Sequence, residues 1–540
     1  MCPFDDDDEL IKLKPKAISL WYEHQSVLGE HAKIQAERDA LAAKVKELEA
    51  QLARKNKALF GPTSERSKKD TAAETKPAAE ATPAPDAAKP KQKGHGRREQ
   101  PKLRTETVVH ELEDDDLVCD ACGGTMDVFE GQEETSTEID VERREFVSRQ
   151  HRRKKYRCRC GGCIRTAKAP LKLKEGNLYS INFGVHVSAT KFDQHQPLER
   201  QARVMQSEGL NIDSQTLWDQ TDSVAFWGIG AYKAIRAQAL SAPVVGADET
   251  QWRLMDTTAD AKAHTSKWWV WAVRAPGVVV YHFDEHRSKD AAAKLLSDYH
   301  GVVMCDGYAA YVSLAKQSPD VLLAHCWSHI RREFHEIEES AVGASEGMLA
   351  LVDELFAIDR EARKLGEQLM EKATNDGERA LAEKGAEAML RHARGERSTK
   401  VLEQLSEKAL SIGLSNSKEC ALYKACAKMS NQWDGLVLFA RHPRVPLHNN
   451  ATEQSQRGPV IGRNNHQGSR SERGTRVSAV LYTLVESAKL AGVDPERYLL
   501  LCVRRALMKK TPVTPSEVTA AMFVEDCELS EEQARSALTA

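Results

Sequence analysis

The sequence lacks several features that would place it in other classes of protein. No apolar run approaches the roughly 20 residues that a membrane span needs, so we predict no transmembrane segment and no membrane partner. The first residues, MCPFDDDDEL, are acidic and lack the apolar stretch of a signal peptide, which favours the cytoplasm. A net charge of −3 excludes a uniformly basic nucleic-acid-binding protein but permits a local basic patch. The 12 cysteines are not spread like a disulfide framework, because five of them lie in one short region.

That cysteine region has the spacing of a zinc site. CDAC at 119–122 and CGGC at 160–163 are two CxxC pairs separated by a hydrophilic, strand-like stretch. Four thiolates from two such pairs complete the tetrahedral shell of a structural Zn²⁺, and metal binding would stabilise a module too small for a large core. The predicted zinc ligands are Cys119, Cys122, Cys160 and Cys163, with Cys158 as the alternative to Cys160.

A basic segment comes just before the second cysteine pair. It contains Arg152, Arg153, Lys154 and Lys155. A basic strand on a zinc-binding module would suit contact with the phosphates of double-stranded DNA. The alternative is a charged face that meets only solvent.

Two further segments precede this module. Apolar residues recur every seven positions, which is coiled-coil spacing. They are Leu20, Val27, Ile34, Leu41 and Leu48. We expect this helix to drive self-association into a homodimer or higher oligomer; packing against its own chain is the alternative. After Gly61-Pro62, an Ala-, Pro- and Lys-rich stretch lacks the apolar residues of a core and is typical of a disordered linker.

After the zinc module, residues 171–240 have a mostly helical pattern. HQPLERQARVMQSEGLNIDSQTLWDQ predicts two helices joined at Gly209, with Asp213 or Ser214 as the N-cap of the second. A helix–turn–helix for DNA and a pair of packing helices are both compatible with this pattern.

The pattern then changes to strands around two aspartates. VVGADETQWRL predicts a strand through Asp248, a hairpin turning at Pro276-Gly277 follows, and Ser288 caps a helix. GVVMCDGY predicts a fourth strand that ends at Asp306, and VLLAHCWSH predicts a fifth before a helix that starts with IRREF. This is the order of an RNase H-like α/β fold, in which the first and fourth strands are neighbours. We therefore expect Asp248 and Asp306 to lie side by side.

A third carboxylate, Glu453, lies far along the chain in NNATEQ. A charge-rich helical region between 341 and 440 explains the gap as an insertion, and Asn449 or Asn450 would cap the helix that carries Glu453. Three converging carboxylates can hold two divalent ions, Mg²⁺ or Mn²⁺, that cut or join phosphodiesters. Arginines follow in a Gly-containing stretch, and such side chains clamp phosphates. Those predicted to contact DNA are Arg457, Arg463, Arg470 and Arg473.

The segment HCWSH contains His325, Cys326 and His329. Cys and His at this spacing could bind a second zinc. A structural role is favoured, because the sequence offers Cys326 and His329 no partner ligand nearby. The remaining alternative is that His325 or His329 lines the active site near the scissile phosphate.

These motifs together resemble the insertion sequence 66 family of bacterial DDE transposases over nearly the whole chain. The matching pieces are LFGPTSERS, CDACGG, ADETQWRL, MCDGYAAY, HCWSHIRREF, NNATEQSQRGPVIGRNN and LYTLVESAKLAGVDPERYL. The resemblance implies an RNase H-like catalytic domain interrupted by a helical insertion, a DNA-binding zinc module and transposition of a mobile element. It also implies that Asp248, Asp306 and Glu453 form the metal-binding catalytic triad. Two departures affect the expected DNA contacts but leave the triad intact: His448 stands where the family usually has Asp, and the stretch after Arg463 lacks the aromatic residues of many members.

We therefore predict an α/β protein in eight segments: a coiled-coil helix (1–62), a linker (63–105), a zinc-binding module (106–170), a helical segment (171–240), the first part of the RNase H-like core (241–340), a helical insertion (341–440), the second part of the core (441–492) and a C-terminal helical segment (493–540). The predicted function is metal-dependent cleavage of DNA at element ends and strand transfer into target DNA. The expected partners are both DNAs and accessory proteins encoded by the element, with association to the nucleoid when DNA is bound. The alternative is a catalytically idle DNA-binding relative that acts as a repressor or scaffold.

Overall fold

The computed structural model describes Arg38, Lys44 and residues 145–157, 164–255, 265–340, 342–343 and 345–538. Arg38 and Lys44 are helical; the rest of the predicted coiled coil, the linker and all five cysteines of the predicted zinc site lie outside the described residues. Within the part of the chain that the structure describes, no helix is long and apolar enough to cross a membrane.

Seven strands among the described residues form two sheets. They are β1 (Lys155–Arg157), β2 (Ile164–Thr166), β3 (Val244–Met255), β4 (Thr265–Ala275), β5 (Val278–Asp284), β6 (Gly301–Cys305) and β7 (Val321–His325). β1 and β2 pair antiparallel in a small sheet of their own. The other five form one mixed sheet in the order β5-β4-β3-β6-β7, in which β3 to β5 are antiparallel neighbours and β6 and β7 run parallel to β3.

This strand order confirms the prediction for the region around the two aspartates, and it is consistent with an RNase H-like core. The predicted hairpin turn lies between β4 and β5, where Gly277 has a φ of 74° that a side chain would disfavour. Both faces of the sheet are covered, because Val303 and Cys305 of β6 pack into one hydrophobic core while Val302 and Met304 pack into another.

The helices of the described residues are α1 (Ile181–Phe192), α2 (Leu198–Ser207), α3 (Ser214–Ser241), α4 (Lys289–Leu296), α5 (Ala309–Gln317), α6 (Trp327–Ser340), α7 (Glu346–Glu371), α8 (Asp376–Ala393), α9 (Thr399–Ser415), α10 (Ala421–Asn431), α11 (Trp433–Leu436), α12 (Leu438–Arg441), α13 (Asn450–Ser455), α14 (Arg457–His466), α15 (Glu472–Leu490), α16 (Pro495–Leu507), α17 (Ala520–Cys527) and α18 (Glu531–Ser536). A π-helical turn at Arg394–Ser398 joins α8 to α9, and a 3₁₀ turn occupies Pro515–Glu517.

Side-chain caps mark several of the helix starts that the sequence predicts. Asp213 caps α3 by accepting a hydrogen bond from Thr216 N, and Ser288 caps α4 through Ala291 N, as predicted. The helix predicted to start with IRREF begins earlier, at Trp327, one residue after the end of β7. α15 starts at Glu472, where Ser471 accepts a hydrogen bond from Gly474 N.

The edge strand β5 is closed by α15. Val279 N donates to Ser487 Oγ at 3.0 Å, and Tyr281 N donates to Thr483 Oγ1 at 2.9 Å. Hydroxyl groups on the helix thus bond to the backbone N–H groups of Val279 and Tyr281, which are therefore not available for pairing with another strand. The rigid sheet that results carries the candidate site at β3 and β6.

Candidate active site

Asp248 and Asp306 lie at corresponding positions of two neighbouring parallel strands. The β3–β6 register pairs Gly246 with Met304. Asp248 is two residues beyond Gly246, and Asp306 is two residues beyond Met304, directly after β6 ends. Continuing the register therefore places the two aspartates side by side. One oxygen of Asp306 is fixed, because Tyr308 N donates to its Oδ1 at 2.8 Å.

Glu453 reaches the same edge on the short helix α13. Asn449 Nδ2 donates to Ala247 O at 2.8 Å, and Gln456 Nε2 donates to Asp248 O at 3.1 Å. These two amides hold both ends of the helix against β3, with Glu453 between them. Asn449 stands at the N-cap position as predicted, but its side chain makes no capping hydrogen bond and serves as a link to the strand instead.

Gly246 makes the close approach of α13 to β3 sterically feasible. A β-carbon at this position would collide with Thr452 Oγ1 and would lie 2.8 Å from Asn449 Oδ1. Thr452 itself is buried, so its side chain has little space in which to move away from an added methyl group. The glycine is thus required by the packing of the helix that carries the third carboxylate.

Asp248 is surrounded by other acidic groups. Burial, followed by the nearby negative charges of Glu249, Glu453 and Asp306, raises the pKa of Asp248 to about 8. Oε1 of Glu453 is buried and accepts no hydrogen bond from the described residues. Oxygen-only ligands with excess negative charge are what Mg²⁺ and Mn²⁺ bind, so the residues present fit a divalent cation.

Glu249 is a fourth carboxylate that sequence reasoning missed. Its side chain is 2% exposed and accepts from Arg287 Nη2 at 2.7 Å and from Tyr311 Oη at 2.7 Å. The guanidinium of Arg287 lies 3.9 Å from the centre of the Tyr308 ring. Arg287 thus partly balances the charge of Glu249, and the ion pair ties β3 to the loop before α4. The two adjacent acidic residues in ADET could have indicated that Glu249 belongs to the site. The sequence does not show that Arg287 and Tyr311 are its partners, because they lie far along the chain.

The Cys and His of HCWSH also reach Glu453. Ligand atoms of Cys326, His329 and Glu453 all lie within 4.8 Å of one another. His325 belongs elsewhere, because its ring contacts the α-carbon region of Gly435 in α11, where an added β-carbon would clash with it. Of the two predicted histidines, His329 lies beside Glu453, whereas His325 lies on β7 opposite Cys305 and within reach of the charge of Asp306.

Of the arginines after Glu453, Arg457 and Arg463 belong to α14, Arg470 lies in the turn that follows, and Arg473 lies in the first turn of α15. Arg463 Nη1 donates to Gln251 O, Arg470 pairs with Glu199 at 3.0 Å, and Arg473 pairs with Asp222. These three side chains therefore brace α14 and α15 against β3, α2 and α3, while Arg457 is exposed. Contact of all four with DNA stays a prediction.

The basic segment before the second cysteine pair is exposed. Arg152, Arg153, Lys154 and Lys155 all face solvent, and Lys155 begins β1. Arg153 Nε donates to Ala167 O at 2.7 Å, which fixes its stem on the small sheet. The arrangement is compatible with phosphate contact, which stays a prediction.

His448, one of the departures from the family pattern, packs against α7. Its ring stacks on Phe356 of α7, with 6.0 Å between ring centres and 21° between the planes. Burial is the main cause that lowers the pKa of His448. The residue thus joins the segment before α13 to the helices that follow β7.

Comparison with known families identifies two regions of the chain. The model of the family described as "Transposase IS66 family" matches residues 176–477, which is more than half of the chain. The model described as "zinc-finger binding domain of transposase IS66" matches residues 116–161.

Three proteins of Sinorhizobium fredii (strain NBRC 101917 / NGR234) are similar to this chain. "Uncharacterized protein y4jD" is 28% identical over 421 residues, which cover 75% of this chain and 78% of the relative. "Uncharacterized protein y4qI" is 28% identical over 397 residues, with 70% and 69% covered. "Uncharacterized protein y4hP" is 25% identical over 404 residues, with 71% and 69% covered.

Proposed function

The chain belongs to the IS66 family of transposases, and from this premise we propose that it is an active DDE transposase. The reaction is cleavage of DNA at the ends of a mobile element, followed by transfer of the freed 3′ ends into target DNA. Asp248, Asp306 and Glu453 are the proposed catalytic residues and the ligands of Mg²⁺ or Mn²⁺.

The observation that carries the proposal is the electrostatic setting of Asp248. Burial, and after it the carboxylates on β3, after β6 and on α13, oppose its ionisation and raise its pKa to about 8. Carboxylates crowded in this way destabilise one another unless a cation joins them. Convergence of three acidic groups from distant parts of the sequence supports a site built to receive positive charge.

Bound divalent ions would supply an activated water or 3′-hydroxyl and would stabilise the leaving oxygen of the phosphodiester. The chain's own contribution is to fix the ligands in place. Asn449 and Gln456 hold α13 on β3, and Tyr308 N holds one oxygen of Asp306. This preorganisation lowers the cost of assembling the site when DNA arrives.

The family also implies DNA as a partner and zinc in the cysteine module. We assign Zn²⁺ to Cys119, Cys122, Cys160 and Cys163, with Cys158 as the alternative to Cys160, and phosphate contact to the exposed basic segment 152–155. Pairing of two or more chains through the coiled coil, and help from accessory proteins of the element, complete the proposal.

The test is a nicking and joining assay with the full-length protein. A supercoiled plasmid carries the DNA that flanks the coding sequence of the chain, and Mg²⁺ or Mn²⁺ starts the reaction. We expect metal-dependent nicks at defined positions with the wild-type protein. The Asp248→Asn variant is expected to bind the same DNA without cutting it.

The control is Asp290→Asn, which removes an exposed carboxylate in the first turn of α4. Cleavage by this variant at the wild-type rate shows that loss of activity is specific to the site. Undiminished joining by Asp248→Asn in Mg²⁺ would contradict the catalytic assignment. DNA binding without nicking by the wild-type protein would favour an idle DNA-binding relative.

A further inference from the structure

A group of three side chains beside the proposed catalytic site has the composition of a transition-metal site. Cys326, His329 and Glu453, here termed the Cys–His–Glu cluster, each offer one ligand atom, and these atoms lie within 4.8 Å of one another. The sequence alone favoured a structural role for Cys326 and His329, because no third ligand is near them in the chain. The fold supplies that ligand from α13.

The chain builds the cluster at the junction of β7 and α6. Cys326 directly follows β7, and His329 lies three residues later in the first turn of α6, so both side chains occupy one face of the helix start. Asn449 N donates to Cys326 Sγ at 3.2 Å, and Trp327 N donates to Leu447 O at 2.9 Å. These two bonds fix the start of α13 against the start of α6 and thereby bring Glu453 to the pair.

Two atoms of the cluster are buried without a hydrogen-bond partner among the described residues. They are Nδ1 of His329 and Oε1 of Glu453, and 4.0 Å separates them. That distance is too long for a hydrogen bond. Leaving a buried polar atom unsatisfied costs about 1–3 kcal/mol. One cation between the two atoms would satisfy both.

The donor atoms select the kind of cation. A thiolate, an imidazole and a carboxylate together suit Zn²⁺, whereas Mg²⁺ prefers oxygen ligands alone. Metal–ligand distances of about 2.0–2.3 Å place tetrahedral ligand atoms about 3.5 Å apart. The 4.8 Å limit on the present separations therefore requires only a small closure of side chains. With three protein ligands, the fourth position is left for water or for an oxygen of the DNA.

We propose that the Cys–His–Glu cluster binds Zn²⁺ and that this ion withdraws Glu453 from the catalytic ions. The cluster is then an inhibitory site, at which free zinc competes with Mg²⁺ or Mn²⁺ for one shared ligand. The inhibitory role rests on the proposed function, because only there is Glu453 a catalytic ligand. The binding of zinc does not rest on it.

The test counts zinc on the full-length protein. Protein stripped of metal is reloaded with Zn²⁺ in excess Mg²⁺, desalted and assayed by atomic emission. We expect Cys326→Ala to retain one Zn²⁺ per chain fewer than the wild-type protein. The cysteine module in the 119–163 segment contributes equally to both, so the difference reports the cluster alone. Equal zinc content in the two proteins would overturn the proposal.

A matched control and a second variant guard against misfolding. Cys426→Ala removes another buried thiol from the same hydrophobic core and is expected to retain the wild-type amount of zinc. His329→Gln changes a partly exposed side chain and should also lose one Zn²⁺. If Cys326→Ala does not unfold cooperatively, it is misfolded, and the zinc content of His329→Gln then decides whether the cluster binds Zn²⁺. With Co²⁺ in place of Zn²⁺, the wild-type protein should show additional thiolate-to-cobalt absorption that is absent from His329→Gln.

The withdrawal of Glu453 has a separate readout. Electron paramagnetic resonance measures Mn²⁺ bound to the protein before and after one further equivalent of Zn²⁺ fills the cluster. We expect Zn²⁺ to lower Mn²⁺ binding in the wild-type protein but not in His329→Gln; unchanged Mn²⁺ binding in the wild-type protein would overturn the withdrawal. In Asp248→Asn the zinc count should stay normal whatever the fate of Mn²⁺, so failure of the zinc site and failure of the catalytic assignment give different results.

Discussion

Two aspartates in this chain have opposite electrostatic surroundings. Asp526 in α17 is 1% exposed and accepts from Arg505 Nη1 at 2.6 Å and from Lys510 Nζ. Burial alone would raise its pKa, but hydrogen bonds from Lys510 and Arg505 lower it. Asp248 is also largely buried, and its acidic neighbours add to the effect of burial and raise its pKa to about 8.

The contrast separates a carboxylate whose charge is balanced by cationic side chains of the fold from one that has no such partner among the described residues. Asp526 has its cations supplied by the chain, so its ionised form is stable in the folded protein. Asp248, with Asp306 and Glu453 near it, is strained in its ionised form unless a cation arrives from outside. Variants at the two positions should therefore change different properties, and the predictions below are ways to test that division.

The largest expected effect is on catalysis by Asp248→Asn. A bound metal ion contributes several kcal/mol to stabilising the charge of a transition state, and each 1.36 kcal/mol is tenfold in rate. We expect DNA nicking to fall by about a thousandfold or more. Quenched-flow or gel-based rates of plasmid nicking measure this. Asp526→Asn should nick at the wild-type rate, and an equal loss in both variants would break the comparison.

The next effect is on folding, and it should occur at the other aspartate. Asp526→Asn leaves Arg505 and Lys510 facing each other without their carboxylate, and breaking a buried ion pair in this way costs about 3 kcal/mol. Urea unfolding monitored by circular dichroism measures the loss in free energy of unfolding. Because the pKa of Asp526 is lowered in the folded state, the wild-type advantage should be present above the unfolded value of about 3.9 and should vanish as pH falls.

A third prediction concerns the close packing that brings Glu453 to Asp248. Gly246→Ala places a methyl group against Thr452 Oγ1 and should displace α13. A misplacement of about 1 Å can cost roughly a hundredfold in rate, so we expect nicking to fall by about that factor. The double variant Gly246→Ala/Thr452→Ala should recover part of the rate.

The control for this glycine is Gly413→Ala in α9, where no atom lies within 4 Å of the added methyl group. That variant should keep wild-type nicking rates. If Gly246→Ala nicks as fast as Gly413→Ala, the packing of α13 on β3 does not position Glu453.

The smallest effect is a gain in stability from the catalytic variant. In the metal-free protein, the raised pKa of Asp248 means that the folded state holds a proton that the unfolded state has lost between about pH 3.9 and pH 8. Stability from this group is therefore greatest below about pH 3.9 and is lost as pH rises towards 8. We expect Asp248→Asn to be more stable than wild type at pH 7.5 by about 1–3 kcal/mol.

The thermal midpoint in the presence of a chelator measures this gain. Added Mg²⁺ should raise the midpoint of the wild-type protein and leave that of Asp248→Asn nearly unchanged, because only the wild-type site binds the ion. A loss of stability in metal-free Asp248→Asn would show that the ionised aspartate supports the fold, as Asp526 does.

The features that the sequence predicted are those that depend on local pattern. Alternating strands, the turn at Pro276-Gly277 and the caps at Asp213 and Ser288 follow from neighbouring residues. The adjacency of Asp248 and Asp306 follows from strand order, because the first and fourth strands of this order run side by side. The position of Glu453 was predicted only from the motif around it.

The features that the sequence did not predict depend on partners more than a hundred residues away. Arg470 and Arg473, whose contact with DNA stays a prediction, form ion pairs with Glu199 and Asp222 on helices that precede the sheet, and nothing near them in the sequence indicates these partners. The third member of the Cys–His–Glu cluster lies on α13, more than a hundred residues after Cys326. The residue pattern within one helix or strand does not indicate these partners, because the contacts form only when the elements pack together.

The central claim is that Asp248, Asp306 and Glu453 together hold the catalytic ions, and the most direct test is anomalous diffraction from crystals of the full chain soaked in Mn²⁺. The predicted result is anomalous density bounded by these three carboxylates in the wild-type protein and absent from Asp248→Asn. Density at other residues, or density that persists unchanged in Asp248→Asn, would contradict the account.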